Sequence, residues 1–89
     1  MQFQWNEEKN RQLQSERGIC FEDIVIAIYE DKLLDVVKHP NQAKYPDQHL
    51  YIVELMDYVY MVPFVKEGET IFFKTIIPSR KLKRMYKEE

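Results

Sequence analysis

Apolar residues follow a helical spacing in one segment near the N-terminus, whereas most segments after residue 32 have the apolar and aromatic content of strands. Between Ile19 and Asp31, large apolar residues recur every three or four positions, as in a helix with one buried face. These residues are Phe21, Ile24, Val25, Ile28 and Tyr29. The pattern predicts an amphipathic helix, whereas Met1 to Trp5 alternates apolar with polar residues and predicts a short strand.

An earlier helix is predicted from its end residues more than from its apolar content. Asn6 is a favourable N-cap and Gly18 is a favourable residue just past a helix C-terminus. The helix is therefore expected from Glu7 to about Arg17. Because Leu13 is its one large aliphatic residue, we expect this helix to lie at the surface.

Four later segments are rich in the β-branched and aromatic residues that strands favour. They are Leu33–His39, His49–Met56, Tyr58–Lys66 and the stretch that starts at Thr70 and ends before Pro78. A polar loop with two prolines, residues 40–48, separates the first two, and Glu67-Gly68 predicts a tight turn before the last. Pro63 predicts an edge or a bulge in its strand, because proline lacks the N–H that a ladder needs.

The predicted elements define an α+β domain that spans residues 1–89 as a single unit. We expect two layers, with all helices on one face of the sheet: two N-terminal helices pack on an antiparallel sheet of about four strands. Ser79 is a favourable N-cap for a short C-terminal helix, which is expected from Arg80 to about Lys87.

Positive charge is concentrated where the last strand leads into this C-terminal helix. Six of the thirteen basic residues lie between Lys74 and Lys87, with no acidic residue among them. Residues 1–73 hold seven basic and thirteen acidic residues, a net charge of −6, although the whole chain carries −2. Such a patch is typical of a surface that binds a polyanion, most often nucleic acid. A charged chain end that is merely solvated is the alternative interpretation.

Other kinds of chemistry have little support in the sequence. The single cysteine, Cys20, excludes an internal disulfide and a cysteine-rich zinc site, and it is expected to act as a weak helix cap. His39 and His49 flank the polar loop and would share a site only if their strands pair. No glycine-rich phosphate loop, secretory signal or membrane-spanning stretch is visible. We therefore expect a cytoplasmic protein with no metal, no cofactor and no membrane partner.

Three stretches of the chain match sequence patterns of a known family. They are W-N-x-x-K-N from Trp5 to Asn10, R-G-I-x-F-E-D-I from Arg17 to Ile24, and K-T-I-I-P-S-R-K from Lys74 to Lys81. Their order resembles that of the BrnT-like toxins, small bacterial proteins of type II toxin–antitoxin modules, and the resemblance covers nearly the whole chain. Arg17 stands where that family has a histidine, and Lys74 lies one position before the place of a common family arginine.

The resemblance implies a RelE-like fold and a metal-independent endoribonuclease that cleaves RNA to arrest growth. It also implies neutralisation by a cognate ribbon-helix-helix antitoxin, with operator DNA bound only through the antitoxin complex. Lys74 and Arg80 would be the catalytic residues that stabilise the scissile phosphate. The RNA-binding residues, through phosphates or base stacking, would be Lys81, Lys83, Arg84, Tyr86, Lys9 and Trp5. The alternative is a catalytically inactive BrnT-like interaction module that binds a protein partner or nucleic acid.

Overall fold

A computed structural model describes residues 1–87 of the protein and contains every predicted helix and strand. In chain order the elements are β1 (Gln2–Gln4), α1 (Glu7–Arg17), α2 (Phe21–Tyr29), β2 (Leu33–Lys38), β3 (His49–Leu55), β4 (Tyr58–Glu67), β5 (Thr70–Phe73), β6 (Ile77–Pro78) and α3 (Arg80–Lys87). One difference from prediction is in the last strand. Residues 74–76, here called the crossover segment, divide it into β5 and β6.

Local hydrogen bonds define the ends of the first two helices. The Asn6 side chain accepts a hydrogen bond from the N–H of Lys9 at 2.9 Å. Gly18 ends α1 with a φ of 67°, a left-handed conformation that glycine adopts without strain. In α2, the Asp23 carboxylate accepts hydrogen bonds from the backbone N–H and the thiol of Cys20, at 3.1 and 3.3 Å. The predicted bounds of α1 are confirmed, and the weak cap at Cys20 is supplemented by Asp23.

Residues 1–87 form a six-stranded sheet with the order β1-β5-β4-β3-β2, and β6 also pairs with β4. The four predicted antiparallel strands are present as β2, β3, β4 and β5. The sheet as a whole is mixed, because β1 pairs with β5 in parallel and places Phe3 opposite Ile71. The prediction of an antiparallel sheet of about four strands is therefore incomplete. Strands of a parallel pair are distant in sequence, so no short-range pattern marks their pairing.

Pro63 is predicted at an edge or a bulge; it lies inside β4, which is an interior strand, so the edge is wrong, whereas the register of the neighbouring strand does shift opposite Pro63. It pairs with Leu50 on one side, and on the other its carbonyl accepts a hydrogen bond from the N–H of Lys74 at 2.8 Å. The N–H that proline lacks would point to this second side, because N–H and C=O of one strand residue share a direction. On that side the partner of β4 changes from β5 to β6, so the ladder already has a break there.

Helices cover both faces of the sheet. On one side, here called the α1/α2 face, the first two helices pack around a core that includes Phe21 and Phe73. On the other side, here called the α3 face, Leu82 of α3 packs against the buried side chains of Leu50 and Ile52. The expectation of helices on one face alone is therefore wrong. Strand β3 carries apolar side chains on both faces of the sheet, so a helix must pack on each face to bury them.

Candidate functional site

The two predicted catalytic residues, Lys74 and Arg80, lie at the two ends of the connection from β5 to α3. The N–H of Lys74 donates to the Pro63 carbonyl at 2.8 Å, and the N–H of Ser79 donates to the Val59 carbonyl at 3.0 Å. These two attachment points on β4 are therefore four residues apart, or about 13 Å at about 3.3 Å per strand residue. Hydrogen bonds to β4 thus hold the connection in place at both ends.

Lys74 lies on the α3 face of the sheet. Its exposed ammonium is 4.9 Å from the centre of the Phe72 ring. Ile71 and Phe73 both belong to the core of the α1/α2 face, so Phe72 between them points to the opposite side. Helix α3, which begins with Arg80, packs on that same side. The structure therefore places Lys74 and the start of α3 on one face of the sheet.

The C-terminal end of α3 is held by acidic residues of the sheet and of its neighbouring turn. The Tyr86 hydroxyl donates to Asp35 Oδ2 at 3.0 Å, and this hydrogen bond raises the pKa of Tyr86. The Lys87 ammonium pairs with the Glu54 carboxylate and with Asp57 Oδ1, the latter at 3.1 Å. Hydrogen bonds to these two carboxylates raise the pKa of Lys87. Tyr86 as a whole is still 39% exposed, and the stacking of its ring on a base stays a prediction.

The remaining basic residues of α3 point toward solvent or lie over an aromatic ring. The Lys83 ammonium is 5.4 Å from the centre of the Tyr58 ring. Arg80, Lys81 and Arg84 are exposed. Of the six basic residues from Lys74 to Lys87, four have no carboxylate of residues 1–87 at ion-pair distance: Lys74, Arg80, Lys81 and Arg84. A polyanion approaching the α3 face therefore meets positive charge that no described acidic residue neutralises.

Trp5 and Lys9 lie on the other side of the sheet. The Trp5 ring stacks on Phe21 and Phe73, with centroid distances of 5.6 and 6.1 Å, and its N–H donates to Glu7 at 2.9 Å. Lys9 belongs to α1, whose Leu13 packs into the same α1/α2 core. The geometry therefore does not bring Trp5 and Lys9 together with the basic residues of α3, and it gives Trp5 a packing role.

Arg17 is a cation near the crossover segment that the sequence did not identify as a site residue. Its Nη1 donates to the Ile76 carbonyl at 2.7 Å, which joins the end of α1 to the crossover segment. One bond leaves most of the five guanidinium N–H donors free for another acceptor. The contact spans 59 positions in sequence, so no local pattern could have revealed it. The resemblance to the BrnT-like pattern, which has a histidine at this position, was the one available indication.

The other candidate groups have different surroundings. The His39 ring lies 4.5 Å from the Tyr45 ring, and the His49 ring lies 5.9 Å from the Phe64 ring, measured between centroids. Burial raises the pKa of the Cys20 thiol to about 11. Among residues 1–87, no group of three or more His, Cys, Asp or Glu side chains has the arrangement of a metal site. None of the helices in this part of the chain combines the length and the apolar character that crossing a membrane requires.

Comparisons with known proteins identify no relative of this chain. No protein-family model, no curated protein and no solved structure matches it. The function must therefore be inferred from the residues and from their geometry.

Proposed function

We propose that the protein is a BrnT-like toxin of a type II toxin–antitoxin module, with a RelE-like fold, that cleaves RNA without a metal ion. The observation that supports this most strongly is the group of four cations on the α3 face that lack a carboxylate partner within residues 1–87. They are Lys74, Arg80, Lys81 and Arg84. Their concentration around one strand-to-helix connection suits a chain of phosphates better than it suits a small neutral ligand.

In the proposed reaction, the 2′-oxygen of a ribose attacks the adjacent phosphorus, and the bond from phosphorus to the 5′-oxygen breaks. The products are a 2′,3′-cyclic phosphate and a free 5′-hydroxyl, so the proton lost by the 2′-hydroxyl is balanced by the one that the 5′-oxygen gains. Lys74 and Arg80 would contact the non-bridging oxygens and stabilise the negative charge that accumulates on the pentavalent phosphorus. Lys81 and Arg84 would bind flanking phosphates.

The proposed module includes a second protein. A cognate ribbon-helix-helix antitoxin would cover the toxin in the bacterial cytoplasm and prevent cleavage, and the complex would bind operator DNA through the antitoxin alone. The resemblance of the three sequence stretches supports this part of the proposal.

A catalytically inactive interaction module is the second candidate. The observation that favours it is the spacing of about 13 Å between the two points where the connection is attached to β4, at Lys74 and at Ser79, the residue before Arg80. Lys74 and Arg80, whose backbones are attached this far apart, suit two successive phosphates or two carboxylates of a partner as well as they suit one reacting phosphate.

Inducible expression in bacteria separates these candidates. Growth and total RNA integrity are followed for the intact chain and for a Lys74→Ala, Arg80→Ala double variant. The toxin proposal predicts growth arrest and RNA cleavage with the intact chain only.

The matched control is Lys32→Ala, Lys44→Ala, which removes the same charge from two exposed lysines outside the site. This control is expected to arrest growth like the intact chain. Normal growth with intact RNA, while the intact chain is folded and abundant, would leave the interaction module as the better interpretation.

A further inference from the structure

A small cavity lies on the α3 face beside the predicted catalytic lysine. It has a volume of about 220 Å³ and is lined by Gln4, Val65, Glu67, Thr70, Phe72 and Lys74. The floor is the pleated surface of β1, β5 and β4, where these residues share one face. The cavity therefore combines an aromatic ring, an ammonium group, an amide and a carboxylate on a rigid sheet.

The position of α3 leaves this part of the sheet open. Leu82 of α3 packs against Leu50, Ile52 and Val59, which belong to β3 and to the first half of β4. Phe72 lies farther along the same face, and it is half-buried although its neighbours in β5 are fully buried. A flat ligand could therefore reach the Phe72 ring without any displacement of α3.

We propose that this cavity binds one nucleobase of single-stranded RNA by stacking on Phe72, next to the phosphate that Lys74 contacts. This inference rests on the proposed function for the choice of RNA as the ligand. Lys74 now lies over the Phe72 ring at 4.9 Å. An arriving base takes the place of the ammonium group on the ring, and the ammonium group moves to the adjoining phosphate. Aromatic rings on an open sheet face are a common platform for single-stranded bases.

Two polar side chains beside the ring can contact the edge of the base. Gln4 is the parallel-strand partner of Phe72, and Glu67 is the antiparallel-strand partner of Thr70, so they flank the ring from neighbouring strands. The Glu67 carboxylate accepts hydrogen bonds only, and guanine presents adjacent N–H donors on its pairing edge. The cavity therefore favours guanine over uracil, which presents a single N–H between two carbonyls.

The test measures binding without cleavage. Fluorescein-labelled 2′-O-methyl hexanucleotides, UUGUUU and UUUUUU, lack the attacking hydroxyl and are titrated with protein in an anisotropy assay. UUGUUU is expected to bind about tenfold more tightly than UUUUUU, and Phe72→Leu is expected to weaken its binding by about tenfold. Phe72→Tyr keeps the ring and the affinity, whereas Glu67→Gln removes most of the preference for guanine.

The matched control is Tyr29→Leu, which removes an exposed aromatic ring from α2 on the opposite side of the sheet and is expected to leave binding unchanged. Equal affinities of the wild type and a folded Phe72→Leu variant for UUGUUU would overturn the proposal. If Phe72→Leu does not fold, an undiminished guanine preference in Glu67→Gln overturns it instead. If the protein cleaves RNA but its binding does not depend on Phe72, only the proposed base-binding cavity is refuted. If binding depends on Phe72 but no RNA is cleaved, only the proposed nuclease activity is refuted.

Discussion

Asn10 joins the first two helices, and its replacement tests how the fold holds α1 against α2. The side chain is 7% exposed. Its Oδ1 accepts a hydrogen bond from the N–H of Phe21, the first residue of α2, at 2.7 Å. Its Nδ2 donates to Glu22 Oε1, also at 2.7 Å. One amide thus satisfies a helix N-terminal donor and binds a first-turn carboxylate of the same helix.

The expected cost of Asn10→Ala follows from what each partner loses. The N–H of Phe21 is left buried without an acceptor, and an unsatisfied buried donor costs about 1–3 kcal/mol. Glu22 is exposed, so water replaces the lost amide and this part of the cost is small. We therefore expect the free energy of unfolding to fall by about 2 kcal/mol and the melting temperature by about 10 °C for a domain of this size.

Urea unfolding followed by circular dichroism measures this difference. Ser15→Ala, an exposed position on the same helix, is the matched control and is expected to stay within about 0.5 kcal/mol of the wild type. If Asn10→Ala also lowered the free energy of unfolding by no more than about 0.5 kcal/mol, the amide would not cap α2 in the way the structure indicates.

The cost of Asn10→Ala is also expected to depend on pH. The hydrogen bond from Asn10 is the main cause of a lowered pKa at Glu22, whose ordinary value is near 4.5. A carboxyl group with a lower pKa in the folded chain contributes stability above its unfolded pKa and loses it as the pH falls through the folded pKa. The difference between wild type and Asn10→Ala is therefore expected to be larger at pH 7 than at pH 3. A difference that grows as the pH falls would contradict this assignment.

Three further predictions concern separate parts of the structure. Tyr86→Phe removes the hydrogen bond to Asp35. Because both partners are exposed, we expect the free energy of unfolding to fall by only about 0.5 kcal/mol, but amide exchange in α3 to be faster; unchanged exchange would refute this link. Because burial raises the pKa of Cys20 to about 11, iodoacetamide is expected to alkylate the folded protein about a hundredfold more slowly than the unfolded chain at pH 8. Under the proposed RNA cleavage, Arg17→Ala is expected to lower the cleavage rate about tenfold and Arg17→Lys to lower it less. Equal rates for all three proteins would exclude Arg17 from the site.

The parts of the fold that could be predicted from sequence are those fixed by near neighbours. The bounds of α1 follow from Asn6 and Gly18, whose capping contacts reach only three or four positions along the chain. The parallel pairing of Phe3 with Ile71 joins distant segments, and neither strand contains a mark of it. That a helix covers the α3 face of the sheet could have been predicted from the sequence. The continuous apolar run from Leu50 to Val53 is typical of a strand that is buried on both faces.

Of the candidate site, only the residues that are close together in the sequence could be predicted. A run of basic residues in α3 is visible in sequence, but the acidic partners of its last turn come from β2, β3 and the turn after β3. Trp5 and Phe3 alternate with polar residues in the same way, and both rings belong to the α1/α2 core. The position of Trp5 in the sequence therefore did not indicate whether its ring could stack on a base. Phe72 lies between apolar residues in the sequence, so its different orientation is not visible there. Only the alternation of side chains along β5 shows that it faces the α3 face of the sheet.

Incubation of the purified protein with a 5′-labelled single-stranded RNA in EDTA tests the proposed activity most directly. The proposal predicts cleavage that leaves 2′,3′-cyclic phosphate ends and that is abolished in the folded Lys74→Ala, Arg80→Ala variant. RNA that stays intact with folded wild-type protein, or cleavage that is equally fast with the double variant, would contradict it.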